Sequence, residues 1–418
     1  MKPNPLCWPA LEILLLAVSP IIAATDDSSH SVKAFTGARI IDGTGKPAVG
    51  KATLVVRNGR IEAVGTSVKV PAGAQRIDVS GKTIIPGLIS VHSHVTDASQ
   101  LGLFARYGVT AVLSLGGNQE IEIRDQVRAE QQTPALNHAR LMIAGPVVAA
   151  RTPEEARQAV DELAAAKTDI VKFRLDDNLG AGRKMPPEVY SVIFDEARRK
   201  GMRVAVHIVY LSDAKAVLRL GADLIAHSVR DADIDDETIA LLKKNNASYC
   251  TTFLREVSSF VYPEKPAFLN DPFLLKFADP RDLARVQEAA FLDRMRSDRG
   301  GQWYKEHLPI AMRNMKKVAD AGVPVVMGTD SGPPGRFQGY FEHLELEYMT
   351  QAGLTPMQAL LAATSNAARF LRTADQNGTL EPGRWADFLV LDANPLDDIR
   401  NTRKLDSVWI AGNRVPAK

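Results

Sequence analysis

Apolar and polar positions alternate with a period of two near both ends of the chain, while the middle switches repeatedly between short apolar runs and helical stripes. Near the N-terminus, Ala38-Arg39-Ile40-Ile41 runs into the glycine turn Asp42-Gly43-Thr44-Gly45. Residues 52–65 read as a hairpin around Asn58-Gly59, and 77–84 add another strand. At the far end, residues 378–383 lead into strand-like runs at 386–392 and 405–412. Neither end has strands enough for a sandwich alone. The pattern therefore predicts a small β-sandwich domain built from both chain ends, 32–84 and 376–418, with the middle inserted between them.

The middle carries eight strand-like runs: the one leading to His92 and His94, then 110–115, 140–143, 170–173, 204–207, 224–226, 247–251 and 325–328. Amphipathic helical patterns lie between most of them, for example 153–167, 186–200, 213–220 and 304–321. Pro153 and Pro186 sit near first helical turns, where proline is favoured. This alternation predicts the α/β class and a (β/α)8 TIM barrel over 85–375. A doubly wound parallel sheet is the rival reading of the same pattern. Residues 255–303 break the rhythm with a long stretch rich in Phe, Pro and charge. So long a connection predicts a packed, lid-like insertion near the barrel mouth, helical over 281–296.

The first residues follow another order. Lys2 precedes an apolar core at 13–24, and polar Thr25-Asp26-Asp27-Ser28-Ser29 follows. Residues 1–24 thus read as a signal peptide, and the core is too short to span a bilayer. The expectation is a secreted or periplasmic protein with no membrane span. With the signal removed, only Cys250 of the two cysteines remains, so no intrachain disulfide is expected. A formal net charge of +2 gives no reason to expect a nucleic-acid partner.

Barrel active sites gather at the C-terminal ends of the strands. The first strand ends in His92-Ser93-His94, whose two imidazoles face one side and suit a divalent metal such as zinc. The fourth carries Lys172 inside an apolar run, the fifth and sixth end in His207 and His227, and the eighth ends in Asp330. Half of the eight histidines thus fall at predicted strand ends, with a lysine and an aspartate completing the set.

These residues resemble the amidohydrolase superfamily, in its imidazolonepropionase-like and metal-dependent dipeptidase (prolidase-like) branch. The resemblance runs through Pro86-Gly87-Leu88-Ile89-Ser90-Val91-His92-Ser93-His94, Lys172, His207, His227 and Gly328-Thr329-Asp330-Ser331-Gly332. It continues through Gly378-Thr379-Leu380-Glu381-Pro382-Gly383 to Leu391. It implies two divalent metal ions, zinc by default. His92, His94 and Asp330 would hold a buried one, and His207 and His227 a more exposed one. Lys172 would bridge both as a carbamate made with CO₂. The implied mechanism uses a hydroxide held between the metals, with Asp330 as general base and His227 supporting the oxyanion.

The implied substrate is an amide or peptide bond in a small peptide or N-acyl amino acid, as for an Xaa-Pro dipeptidase or carboxypeptidase. Cyclic-amide hydrolysis of the imidazolonepropionase type, with one metal and no carbamate, is the alternative. A metal-free scaffold is the non-enzymatic alternative, and the filled ligand positions speak against it. Relatives often form oligomers, so a homo-oligomer is compatible with the resemblance. One departure is Ser90, where many relatives place an acidic or amide residue two positions before the first histidine. Tyr210, Arg255 and Arg336 follow strand ends and are placed to bind a substrate carboxylate. His138, His307 and His343 read as structural or surface residues.

Overall fold

The computed structural model describes Met1 and residues 32–417, so nearly all of the segment read as a signal, 1–24, lies outside the described residues. The first strands are β1 (Val32–Ile40), β2 (Val49–Arg57), β3 (Arg60–Gly65), β4 (Gln75–Asp78) and β5 (Thr83–Pro86). β1 and β2 pair antiparallel, and β3 returns from β2 through the Asn58-Gly59 turn. One edge of β1 serves two partners in succession. Residues 33–36 pair with β4, and 39–40 pair with β5. Gly37 makes this possible: the register shifts there, its φ is +85°, and a Cβ would lie 2.2 Å from Ser80 Oγ.

The parallel strands follow. β6 (Leu88–Ser93), β7 (Val109–Ser114) and β8 (Arg140–Ile143) form one sheet of three. β9 (Val171–Arg174), β10 (Val204–His207), β11 (Leu224–Ala226), β12 (Ser248–Cys250) and β13 (Val325–Val326) form another of five. The two sheets are not one continuous ladder, because β8 and β13 are short. Single backbone contacts bridge their edges instead. Val148 N donates to Lys172 O at 2.8 Å, and Val91 N donates to Met327 O at 2.9 Å. Asp330 N reaches His92 O at 2.8 Å. The arrangement is TIM-barrel-like.

Period-two alternation decides which side chains face the interior. Ala205, Leu224, Ala226 and Cys250 join Ile89, Val91 and Leu113 in the cluster enclosed by the strands. Val204, Val206 and Ile225 point outward, into the cluster shared with the surrounding helices. By the same parity Lys172, between outward Val171 and Phe173, faces in. The interior is tight at Gly328, where a Cβ would lie 2.6 Å from His92 Cβ and 2.8 Å from Cys250 Sγ. Only glycine lets the Asp330 loop close against the first histidine.

Beyond the barrel-like part, β14 (Phe388–Leu391), β15 (Leu405–Ile410) and β16 (Asn413–Arg414) return to the first sheet. β14 lies antiparallel to β5, so the two chain ends share one unit. In place of the expected sandwich the chain ends form a single sheet of eight strands, seven in the order β16-β15-β14-β5-β1-β2-β3 and β4 branching from β1. Phe35, Leu54, Val56, Ile84, Phe388 and Trp409 pack as its core.

The 255–303 excursion is packed and largely helical. Tyr262, Leu274, Val286 and Phe291 are buried in the main core, and the Tyr107 hydroxyl donates to Leu274 O at 2.8 Å. The helix expected over 281–296 is broken into Pro280–Arg285 and Ala289–Ser297, with buried Val286 at the break. The next helix starts at Arg299, earlier than the stripe suggested, because Asp298 caps it by accepting from Gly300 N at 3.0 Å.

Candidate metal centre

Four of the expected ligand residues converge at the strand ends. Asp330 Oδ1 lies 2.7 Å from His94 Nε2 and 3.3 Å from His92 Nε2. Ligand atoms of His92, His227 and Asp330 all fall within 4.8 Å of one another, and all three residues are buried. The His207 ring stands 4.3 Å from that of His227, and the His92 ring 4.7 Å from it on the other side. Lys172 is buried beside this group, and its Nζ has no hydrogen-bond partner among the described residues.

On His94, His207 and His227 one ring nitrogen is tied down, which fixes how these imidazoles point, whereas His92 Nδ1 has no partner among the described residues. His94 Nδ1 donates to Gly116 O at 3.0 Å. His207 Nε2 lies 3.0 Å from Asp176 Oδ2, leaving Nδ1 free. His227 Nδ1 meets Thr252 Oγ1 at 2.6 Å, leaving Nε2 free. Backbone conformation carries some of the cost: His227, Thr252 and Asp330 all take positive φ, at 73°, 51° and 58°. For the β-branched Thr252 this is a marked outlier, of the kind that collects at functional sites.

Electrostatics favour metal binding. Burial, with Lys172 nearby, pushes the His92 imidazole down to about 3. Burial likewise holds His207 and His227 well below the ordinary value. Neutral imidazoles are the form that ligates metal. Burial pushes the Lys172 ammonium down to about 8. Burial opposes the charge of Asp330, yet Arg336, His92 and His94 hold its carboxyl well below the usual range. This donor set, with an orphaned lysine amine buried beside it, fits a divalent metal site.

The three residues expected at the substrate are distributed differently. Arg336 Nη1 lies 2.6 Å from Asp330 Oδ2, and Arg255 Nε lies 3.9 Å from the same oxygen. Both guanidiniums therefore reach the site from its mouth. The Tyr210 hydroxyl instead donates to Asp177 Oδ1 at 2.9 Å, on the loop after β9. His138, His307 and His343 lie apart from the cluster; His343 is buried against Tyr107 O and Thr402 Oγ1.

Several residues were not singled out from sequence. Asp176 lies two residues past β9, on the rim where the other candidates were found, so position alone could have flagged it. Arg230 and Glu256 are fully buried 3.5 Å apart, and Tyr304 lies under both Arg230 and Arg255. Glu342, in the helix Tyr340–Gln351, accepts from Ser90 Oγ at 3.2 Å across 252 residues of sequence. A carboxylate thus serves the Ser90 position from elsewhere in the chain. The signal for it was a helix with three glutamates, two of which, Glu342 and Glu345, are buried among Phe341, Leu344 and Leu346.

The profile of the amidohydrolase family matches residues 83–415. Over 281 residues the chain is 27% identical to ochratoxinase from Aspergillus niger, covering 64% of this chain and 51% of that protein. The match thus spans about half the length of that relative. Imidazolonepropionase from Streptomyces avermitilis is 26% identical over 404 residues, with 87% of each chain covered. Among solved structures, an Xaa-Pro dipeptidase with bound methionine in the active site has a similar fold. Its TM-score is 0.72 at 20% identity, over 92% of this chain and 99% of that one. A candidate prolidase from Bifidobacterium longum also reaches 0.72, at 26% identity over 92% and 94% of the two chains. With a profile match that takes in every parallel strand and the whole His, Lys and Asp set, this chain belongs to the amidohydrolase family.

Proposed function

We propose that this protein hydrolyses an amide or peptide bond in small peptides or N-acyl amino acids, using two divalent metal ions held at the strand ends. The observation that carries the reading is the convergence of His92, His94, His227 and Asp330, with Lys172 buried beside them and its amine without a partner among the described residues. His92, His94 and Asp330 would hold one ion, and His207 and His227 the other. Lys172, as a carbamate, would supply an anionic oxygen ligand to them. Its pKa of about 8 supports this, because only the neutral amine adds to CO₂, releasing one proton and leaving an anionic ligand. Zinc is the default metal for such a donor set.

When bound, the metals acidify water and polarise the carbonyl. The protein does the rest. Asp330 takes a proton from the attacking water on a carboxylate oxygen and returns it to the leaving nitrogen. His227, with Nδ1 held at Thr252 Oγ1, has only Nε2 to offer a metal, so support of the developing oxyanion falls to a nearby donor instead. The barrel-like part at 85–375 supplies this machinery, and the two-ended sheet braces it. The charged, apolar and polar order of the first 29 residues supports export, to the periplasm or beyond.

Charge at the mouth favours an anionic substrate group. Three guanidiniums, Arg230, Arg255 and Arg336, face only two carboxylates, Glu256 and Asp330. One cationic charge is left over, and the free carboxylate of a dipeptide or N-acyl amino acid would balance it. Arg255 sits nearer the rim than fully buried Arg230 and is held over the Tyr304 ring at 4.4 Å. Arg255→Met should raise KM about tenfold or more for an N-acyl amino acid, leave KM for its C-terminal amide little changed, and leave metal content intact. Equal effects on acid and amide would remove Arg255 from carboxylate recognition.

A second reading, hydrolysis of a cyclic amide, draws on the similarity to imidazolonepropionase over 87% of the chain. A panel of dipeptides, including Xaa-Pro, N-acyl amino acids and cyclic amides separates the two. Turnover confined to cyclic amides would replace the first reading with the second.

A further inference from the structure

We propose that the helix Tyr340–Gln351 positions the metal centre through two buried carboxylates, Glu342 and Glu345, each serving one half of the ligand set. The inference rests on the metal-dependent reading above and adds to it two positioning residues that touch neither metal nor substrate.

Glu342 serves the half formed by His92, His94 and Asp330. Its Oε1 accepts from Ser90 Oγ at 3.2 Å, Ser93 Oγ at 3.1 Å, Thr329 Oγ1 at 2.8 Å and Ser331 Oγ at 3.0 Å. Ser93 stands between the two histidines, and Thr329 and Ser331 flank Asp330 in sequence. One oxygen has two lone pairs, so the four hydroxyls share it; Ser90 and Ser93 are also 2.8 Å from each other. The second oxygen, Oε2, has no partner among the described residues. Glu342 is therefore a single acceptor at which the first and eighth strand ends are pinned together.

Glu345, one helical turn further on, serves the other half. It accepts from Thr251 Oγ1 at 2.5 Å and Phe253 N at 2.8 Å through Oε1, and from Leu254 N at 2.9 Å through Oε2. These donors bracket Thr252 on both sides. Thr252 is held in left-handed backbone at φ 51°, and its hydroxyl fixes His227. The same turn opens the short helix Phe253–Val257 that carries Arg255 and Glu256. Both carboxylates are fully buried, a costly placement that a core helix could avoid with apolar side chains. The donors to their carboxyl oxygens come from β6, from the residues flanking Asp330 and from the turn around Thr252, all of which carry residues of the site.

The different use of the oxygens makes the proposal testable with isosteric variants. Glu342→Gln keeps the one oxygen that is used. Glu345→Gln replaces an oxygen that Leu254 N needs with a second donor. Zinc affinity of the full-length protein, measured by competition with a chelating dye, should fall tenfold or more in Glu342→Ala and be largely restored in Glu342→Gln. In Glu345→Gln it should fall tenfold or more without rescue, and the cobalt-substituted protein should show altered visible bands. If Glu342→Ala does not fold, the comparison of the two glutamine variants carries the test. Equal zinc affinities in folded Glu342→Gln, Glu345→Gln and wild type would overturn the proposal, as would a larger loss in Glu342→Gln. A wild-type protein that takes up no zinc would instead overturn the metal reading on which the proposal rests.

Discussion

Asp330→Asn should lower kcat by about a thousandfold while the protein remains folded. The substitution keeps the size of the side chain and removes its charge. Asparagine also tolerates the left-handed backbone that residue 330 adopts at φ 58°, so the loop after β13 should keep its course. What is lost is the anionic oxygen 2.7 Å from His94 and 3.3 Å from His92, together with a group able to take a proton. Arg336, 2.6 Å from the carboxylate, would lose its partner and add unbalanced positive charge beside the ligands. Circular dichroism should match wild type, the thermal unfolding midpoint should fall, and metal content should fall. A kcat within tenfold of wild type would remove Asp330 from both ligation and proton transfer.

Lys172→Ala should reduce bound metal from two ions per chain to one and lower kcat by about a hundredfold or more. Its amine is buried and unpartnered, so the lysine is kept at some cost to the fold. Lowering its pKa from 10.5 to about 8 increases the neutral fraction near pH 7 by roughly two to three orders of magnitude. That chemistry suits a carbamate. A short carboxylic acid such as acetate, entering the space left by the side chain, should partly restore both metal and turnover. One metal per chain in wild type, unchanged in the variant, would sink the two-metal reading and favour the cyclic-amide one.

Much of this site was legible in the sequence because its ligands lie on strands or just past their ends. Period-two alternation assigns His207 and Lys172 to the interior once Val204, Val206, Val171 and Phe173 are read as outward. The parallel strands at 140–143, 204–207 and 224–226 were likewise fixed by local apolar runs. What escaped depends on tertiary approach. Glu342 reaches Ser90 across 252 residues, and Glu345 reaches Thr251 across 94, distances at which no local period operates. The Ser90 departure hinted that a carboxylate was missing but not where it would come from. The single eight-stranded sheet escaped because its branch at Gly37 is a matter of register, which alternation alone does not set. In the 255–303 excursion, short helices capped by Asp271 and Asp279 replaced the longer one expected over 281–296, and Asp298 caps the long helix that follows.

The most direct test of the central claim is hydrolysis of a panel of dipeptides and N-acyl amino acids by the protein before chelation, after it, and after zinc is returned. The account predicts turnover that disappears when the metal is stripped and returns with zinc, saturating near two ions per chain. Turnover indifferent to chelation, or no hydrolysis of any member by the zinc-loaded protein, would contradict it.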